Sequence, residues 1–331
     1  MRTLLQNNLV WLFFAGTVAL SFTTDAYSQY LVNLVLVYVV IGQGLNLILG
    51  FAGMFAFAHG AFMGIGAYVS ALLTAKLGVS LLVAMPAAGV AAAIVGALIG
   101  FPALRVSGLY LAMVTLGFSE IVQWVIKHWK SVTGGPDGVS VPAPVLFGHR
   151  FYGDYPTFYI VVVVALAMTL LAQAIIRSKL GRAFVAIRDS EIAAQCSGIK
   201  VARTKVLAFA ISAFYAGIGG SLFSLTQSYI TPENFGFYQT TLHFCIVIVG
   251  GAASLAGPII GSIILTWLPE VLRNAQALQE IGYGLMLILF VIFAPRGIAG
   301  FLIDKGILPR ERFSLRRPSL PGRSRPAPQE V

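Results

Sequence analysis

The sequence predicts an all-α, polytopic transmembrane helical bundle of about 8–10 spans, some of them broken or re-entrant. The first indication is composition: the 331 residues are 58% hydrophobic and only 10% charged, whereas a soluble domain carries about 25% charged residues. The second is the length of the apolar runs, about twenty residues, which suits a membrane-crossing helix. Strands of a membrane β-barrel would instead alternate apolar and polar residues over about ten positions.

Eight apolar runs are candidate spans, and a further run is broken by glycines. In chain order the eight are Leu9–Phe22, Tyr30–Leu49, Ala52–Ala75, Ser80–Phe101, Gly108–Ile126, Phe158–Ile176, Val206–Thr226 and Ile281–Pro295. The first follows Arg2 and is short, so the core of a signal peptide is the alternative interpretation. The broken run, Leu242–Leu272, contains GGAASLAGP and is either a re-entrant pair of half-helices or two complete spans.

Charge distribution orients these spans. The stretch Arg177–Lys205, called the polar loop below, carries seven Lys/Arg and two acidic residues, and the positive-inside rule assigns such a loop to the cytoplasm. Counting spans from it assigns both termini to the cytoplasm and the loops Lys127–Thr157 and Gln227–Thr241 to the outside. This orientation has 17 Lys/Arg inside and five outside. We expect a membrane domain over residues 1–303 and a disordered, basic, Pro-rich cytoplasmic tail over 304–331.

No motif for catalysis or metal binding is present. The sequence lacks a P-loop, an H-E-x-x-H motif and a G-x-S-x-G motif, so we expect no enzyme activity, no catalytic residues, no metal and no bound cofactor. The net charge of +10 collects in the polar loop and the tail without interleaved aromatic residues, so a nucleic-acid partner is not expected. Cys196 and Cys245 are expected to be free thiols.

A short helix is predicted within the polar loop, over DSEIAAQCSG. Asp189 or Ser190 can cap its start, Glu191 in the first turn favours the helix dipole, and Gly198 supplies a stop. Ala193 and Ala194 are small enough to allow the close approach of a partner. Their spacing fits a docking surface for another protein and a plain connector helix equally well.

Two glycine-rich stretches interrupt apolar sequence, Gly50–Ala67 and Val249–Ser262, one in each half of the chain. Paired broken segments are typical of a translocation pathway. The candidate pathway-lining residues are His59, Gly60, Gly64, Glu120, Gly250, Gly251 and Gly257. Each has a simpler interpretation: the glycines as helix-packing positions, His59 as a hydrogen-bonded packing residue, and Glu120 as an interfacial carboxylate near Lys127.

The polar loop resembles the coupling loop of ABC importer permeases, which carries E-A-A followed by G. The matching positions are Glu191, Ala193, Ala194 and Gly198, with Ile192 interposed, and the preceding Ser178–Glu191 is also similar. That preceding stretch contributes Gly181, Arg182, Arg188 and Asp189. The chain as a whole resembles the longer of the two paired permeases of high-affinity branched-chain amino acid transporters, through the stretches Gly44–Gly53, Gly108–Ile121, Val132–Pro142, Gly250–Leu265 and Leu289–Phe301.

The resemblance implies a non-catalytic subunit of an ATP-driven importer in the bacterial inner membrane, surrounded by lipid. A second permease completes the pathway, two cytoplasmic ATPases that use ATP and Mg dock on the coupling loops, and an extracytoplasmic binding protein delivers leucine, isoleucine or valine. Since these amino acids differ by about one methylene, or about 0.8 kcal/mol, the binding protein should set specificity. Alternatives are transport of urea, short amides or sugars, an ATPase-independent secondary transporter, or an intramembrane enzyme.

Overall fold

The computed structural model describes residues 11, 13–19, 25–106, 108–142, 145–146, 149–150, 154–271 and 297–305. The predicted first span, Leu9–Phe22, lies partly outside these residues. The predicted last span, Ile281–Pro295, and the tail beyond Lys305 lie wholly outside them.

Six helices of the described chain are long and apolar enough to cross a membrane, which confirms the predicted all-α, polytopic bundle. They are α1 (Ala26–Asn46), α2 (His59–Leu77), α3 (Leu81–Gly100), α4 (Leu109–His128), α6 (Asp154–Arg177) and α9 (Val201–Gln227). Helix α1 continues as a π-helical turn, Leu47–Phe51. Each helix overlaps a predicted span, so run length located these elements correctly.

Shorter elements lie between the long helices and after the last of them. The short helices are α5 (Lys130–Thr133), α7 (Lys179–Asp189), α8 (Glu191–Cys196), α10 (Phe237–Gly250), α11 (Ala256–Val271) and α12 (Gly297–Asp304). The strands are β1 (Val139–Ser140), β2 (Val145–Leu146), β3 (His149–Arg150) and β4 (Tyr229–Ile230). Strand β1 pairs antiparallel with β4, and β2 with β3.

Helix α9 lies at the centre of the bundle and packs against α1, α2 and α3. Small residues make this packing possible: a methyl group on Gly66 of α2 would collide with the backbone of Gly217 of α9. Gly217 in turn lies against Ala92 of α3. In a membrane, where lipid is as apolar as a side chain, such close backbone contacts hold helices together. Ser221 adds a hydrogen bond of 2.6 Å to Ser70 across the same contact.

The loops that charge counting assigned to the outside do meet at one end of the bundle. The Lys76 ammonium, at the end of α2, donates to the carbonyls of Ser131 and Val132 at 3.2 and 3.1 Å. Strand pairing sets Val139 opposite Ile230 and so joins the two predicted outer loops. The sequence therefore predicted correctly which loops share a side.

Within the first broken segment, Gly50–Ala67, helix α2 begins later than expected. The predicted span Ala52–Ala75 was wrong in its first part, because Ala52–Ala58 is not helical and α2 begins at His59. Gly53 has φ +70, a left-handed conformation that ends the π-helical turn. Thr115 of α4 satisfies one backbone group of this segment, accepting a hydrogen bond of 2.8 Å from the amide of Phe57.

The second broken segment, Leu242–Leu272, forms the hairpin α10–α11 with a turn at residues 251–255, called the hairpin turn below. Gly251 and Ala253 have φ 119 and 59, which no helix tolerates. Helix α10 has 14 residues, about 21 Å at 1.5 Å per residue, which is too short for a bilayer core of about 30 Å. Of the two predicted alternatives, the geometry favours the re-entrant pair.

Candidate functional site: the polar loop and the broken helices

The polar loop contains two helices, of which the sequence predicted only α8. Ser178 caps α7 by accepting a hydrogen bond of 3.1 Å from the amide of Leu180. Phe184 and Ile187 of α7 are buried, but the helix also carries four charged residues, Lys179, Arg182, Arg188 and Asp189, so it does not read as an apolar run. The signal that could have found α7 is this spacing of buried residues at i and i+3.

Helix α8 begins and ends as predicted. Of the two predicted caps, Ser190 is the one that acts: its hydroxyl accepts from the amide of Ala193 at 3.3 Å. Asp189 ends α7 instead and pairs with Arg188 at 3.2 Å. Gly198 follows the last turn with φ +80, the left-handed conformation of a helix stop.

The two alanines of the E-A-A-like motif differ in exposure. Ala194 is buried against Ile187 and Val201, so it holds α8 against its own chain. Ala193 is exposed, and its neighbour Ile192 is 77% exposed. Ile192 and Ala193 therefore form the exposed apolar part of α8.

Two further candidate residues lie on α7. Gly181 is buried, and a methyl group on it would collide with the carbonyl of Ile176 at the end of α6, so it permits the tight connection between these helices. Arg182 is exposed beside it. Gly181 thus has a packing position, whereas Arg182 is accessible to another protein.

Glu191 is held by an ion pair that the sequence did not predict. The Lys205 ammonium lies 2.6 Å from the Glu191 carboxylate, with the Lys205 side chain 6% exposed and the Glu191 side chain 46% exposed. Lys205 lies in the first turns of α9, the central helix of the bundle. The pair therefore ties the start of α8 directly to the membrane-embedded core.

Arg188 joins the polar loop to the first broken segment. Its guanidinium Nη1 donates to the carbonyl of Gly50, in the π-helical turn, at 3.0 Å. Its aliphatic part packs on Gly53, where a methyl group would lie 2.6 Å from Arg188 Cγ. A carbonyl at a helix end has no following turn to accept from, so Arg188 provides the partner that the irregular backbone lacks.

A cleft of about 200 Å³ separates the polar loop from the broken segment. Its lining includes Gly53, Met54, Val106, Arg188, Glu191 and Lys205. Val106 belongs to the turn between α3 and α4, so that turn lies beside the polar loop.

His59 matches the simpler interpretation given to it. Its Nε2 lies 3.1 Å from the carbonyl of Ile41 and its Nδ1 lies 3.4 Å from the hydroxyl of Ser212. The ring also packs edge-on against His243, with centroids 5.8 Å apart. Both ring nitrogens thus have partners, and the residue is 2% exposed.

The candidate glycines occupy tight contacts between elements. Gly60 donates its amide to the Thr240 hydroxyl at 3.2 Å, and a methyl group on Gly64 would lie 3.1 Å from Phe235. In the hairpin, a methyl group on Gly250 would collide with the backbone of Gly257, and one on Gly257 with that of Gly251. In this conformation these residues serve close packing, as buried irregular backbone at membrane depth requires.

Glu120 lies on α4, about 16 Å from Leu109 at 1.5 Å per residue and so near the middle of a 20-residue helix. Its side chain is exposed, on the same face as Gly117, Ile121 and Trp124. Neither ion pair of the described residues includes it. A carboxylate at this depth is costly against lipid, so this face suits a protein or an aqueous path.

Two amide side chains of α1 bind the hairpin turn, and sequence reasoning missed both. The Asn46 Oδ1 accepts from the amide of Ala253 at 2.8 Å and its Nδ2 donates to the carbonyl of Ser254 at 2.8 Å. Gln43 donates to the carbonyl of Leu255 at 2.9 Å. The available signal was the presence of two amide side chains, Gln43 and Asn46, in the second half of the predicted apolar span Tyr30–Leu49.

The family model described as "Branched-chain amino acid transport system / permease component" matches residues 27–294. The chain belongs to this family. It is 35% identical over 305 residues to the high-affinity branched-chain amino acid transport system permease protein LivM of Escherichia coli K12, across 85% of this chain and 72% of that protein. The LivM of Salmonella typhimurium is 33% identical over the same shares.

A second group of relatives carries a different permease name. LivH of Escherichia coli K12 is 31% identical over 287 residues, covering 80% of this chain and 91% of LivH. The higher identity to LivM agrees with the longer of two paired permeases. No solved structure matches the chain.

Proposed function

We propose that this chain is a permease subunit of an ATP-driven importer of branched-chain amino acids in the bacterial inner membrane. Family membership and the LivM and LivH relatives, whose printed names specify this transport, support the assignment. The contact that carries the mechanism is the hydrogen bond from Arg188 to the Gly50 carbonyl. This bond connects the charged polar loop, at the membrane surface, to a broken helix within the membrane.

The polar loop is the surface on which cytoplasmic ATPases dock. Its excess of basic residues favours a cytoplasmic orientation, with both termini on that side. Ile192 and Ala193 present an apolar surface on α8, and Arg182 adds an accessible charge on α7. ATP binding and hydrolysis take place in the ATPases, which use Mg, while this subunit binds no cofactor and catalyses no reaction.

Movement of the docked loop reaches the membrane helices through two charged residues. Lys205 transmits displacement of α8 to the central helix α9, and Arg188 transmits displacement of α7 to the end of α1. Since packed interfaces switch between discrete arrangements rather than deforming continuously, a shift of the loop into the adjacent cleft changes the access of the pathway.

The pathway forms between this chain and a paired, LivH-like permease. The exposed face of α4 with Glu120 at its middle is the surface that we assign to that pathway, because an intramembrane carboxylate belongs on a protein or aqueous surface. An extracytoplasmic binding protein delivers the amino acid and sets specificity, since a methylene difference of about 0.8 kcal/mol gives little discrimination in a transient apolar path.

Reconstitution tests the assignment. The chain, a LivH-like permease, two candidate ATPases and a binding protein are placed in proteoliposomes, and uptake of labelled leucine, isoleucine and valine is measured. We expect uptake that requires both ATP and the ATPases, with a matched control that carries a hydrolysis-deficient ATPase. Uptake that persists without ATPases or ATP would establish a secondary transporter instead.

A further inference from the structure

Asn46 is the one residue of α1 whose side chain holds two backbone groups of the hairpin turn. Its amide accepts from Ala253 N and donates to Ser254 O, both at 2.8 Å, and the side chain is 0% exposed. Gln43, one turn earlier, adds the bond to Leu255 O. The hairpin turn is therefore fixed to α1 by three hydrogen bonds from two adjacent turns of that helix.

The hairpin turn depends on these bonds because its backbone cannot satisfy itself. Ala253 has φ 59, and Gly251 has φ 119, so the helical hydrogen-bond pattern is interrupted between α10 and α11. A buried backbone group without a partner costs about 1–3 kcal/mol. With Asn46 in place, the turn follows α1 when that helix moves.

The same end of α1 receives the polar loop. Gly50 lies one turn after Asn46, and its carbonyl accepts from Arg188 at 3.0 Å. A methyl group on Gly50 would collide both with Asn46 Oδ1 and with the amide of Ala253. The π-helical turn is thus in direct contact with the polar loop on one side and with the hairpin turn on the other.

We propose that Asn46 is a positioning residue that couples the polar loop to the hairpin, so that both broken segments move as one unit. Arg188 contacts the π-helical turn at Gly50, that turn contacts Asn46, and Asn46 bonds to residues 253 and 254. This inference rests on the proposed function and names the element that the ATPase-driven shift displaces. A contiguous series of packed and hydrogen-bonded groups is the physical means by which such coupling travels.

The test replaces Asn46 and a matched residue on the same helix. Asn46→Leu removes both bonds to the hairpin turn, whereas Asn33→Leu changes another buried α1 asparagine, one whose Oδ1 has no hydrogen-bond partner. In the reconstituted transporter we measure co-purification with the ATPases, ATP hydrolysis and leucine uptake. The decisive quantity is the number of leucine molecules transported per ATP hydrolysed.

Asn46→Leu should reduce this ratio about tenfold, within the 5–150-fold range of typical coupling free energies, while ATP hydrolysis continues. Asn33→Leu should leave the ratio unchanged. A merely structural role would lower assembly, hydrolysis and uptake together and leave the ratio at the wild-type value, which would overturn the proposal.

Asn46→Asp serves if the leucine variant does not assemble. The aspartate keeps the side-chain volume and the acceptor for Ala253 N, but it places a second acceptor against Ser254 O. The number of leucine molecules transported per ATP should therefore lie between the wild-type value and that of Asn46→Leu. A wild-type ratio in Asn46→Asp would also overturn the proposal. If the wild-type complex shows no ATP-dependent uptake, the proposed function itself fails, and that outcome is distinguishable from failure at Asn46.

Discussion

The ion pair between Glu191 and Lys205 offers the clearest quantitative prediction. Lys205 is 6% exposed and Glu191 is 46% exposed, at an N–O distance of 2.6 Å. A fully exposed pair contributes about 0.2–1 kcal/mol, and breaking a fully buried pair costs about 3–5 kcal/mol. Because only the lysine is buried, we expect Glu191→Gln to lower the free energy of unfolding by about 2 kcal/mol.

The two partners should respond differently to removal. Glu191→Gln leaves a buried ammonium without its counter-charge, whereas Lys205→Met leaves a half-exposed carboxylate that water can solvate and replaces the lysine stem with a chain of similar volume. We therefore expect Lys205→Met to cost about 1 kcal/mol or less. The double variant should be about as stable as Lys205→Met alone, since no buried charge remains.

Denaturant unfolding of the four proteins in mixed micelles, followed by tryptophan fluorescence, measures this double-mutant cycle. The expected interaction free energy is about 1–2 kcal/mol. Additive costs, with the double variant as unstable as the sum of the single variants, would refute the claim that Lys205 anchors Glu191. The anchoring of α8 to α9 would then have to come from the packing of Ala194 alone.

Three further predictions follow from exposure and packing. Gly66→Ala should lower the free energy of unfolding by about 1–3 kcal/mol, because the α9 backbone lies against that position. Gly117→Ala has open space around it, so its free energy of unfolding should be unchanged or higher by up to about 1 kcal/mol. Equal shifts of the unfolding temperature in the two variants would contradict this packing. Ile192→Asp should weaken co-purification with the ATPases. The control is Leu77→Asp, a similarly exposed residue at the C-terminal end of α2, away from the polar loop, which should leave co-purification unchanged. Unchanged ATPase binding in both variants would remove Ile192 from the docking surface. Glu120→Gln should lower leucine uptake without changing ATPase binding, and wild-type uptake would return Glu120 to an interfacial role.

The spans, and which loops lie at the same end of the bundle, could be predicted because they depend on local properties. Run length marks membrane helices, and basic residues avoid translocation. The caps of α8 were also predictable, since Ser190 and Gly198 act within one or two turns of their own position. These features need no knowledge of what lies across the bundle.

The residues that connect the site could not be predicted in the same way. Asn46 bonds to Ala253 and Ser254, which lie 207 and 208 positions later in the chain. Arg188 bonds to Gly50, which lies 138 positions earlier. Lys205 counted only as one positive charge among seven in the polar loop. Such contacts depend on the tertiary arrangement of helices, which sequence periodicity does not supply. The glycine-rich stretch Gly50–Ala67 predicted an interruption, but the start of α2 at His59 could not be placed, since Thr115 of a different helix stabilises the irregular backbone before it.

The central claim is that the polar loop faces the cytoplasm and receives the ATPases. The chain has one exposed cysteine, Cys196 at the end of α8, while Cys245 is buried, so a membrane-impermeant maleimide reports on this loop alone. We predict that Cys196 is labelled in inverted membrane vesicles, is not labelled in intact cells, and is protected when ATPase subunits are added. Labelling of Cys196 from the outside of intact cells would contradict the account.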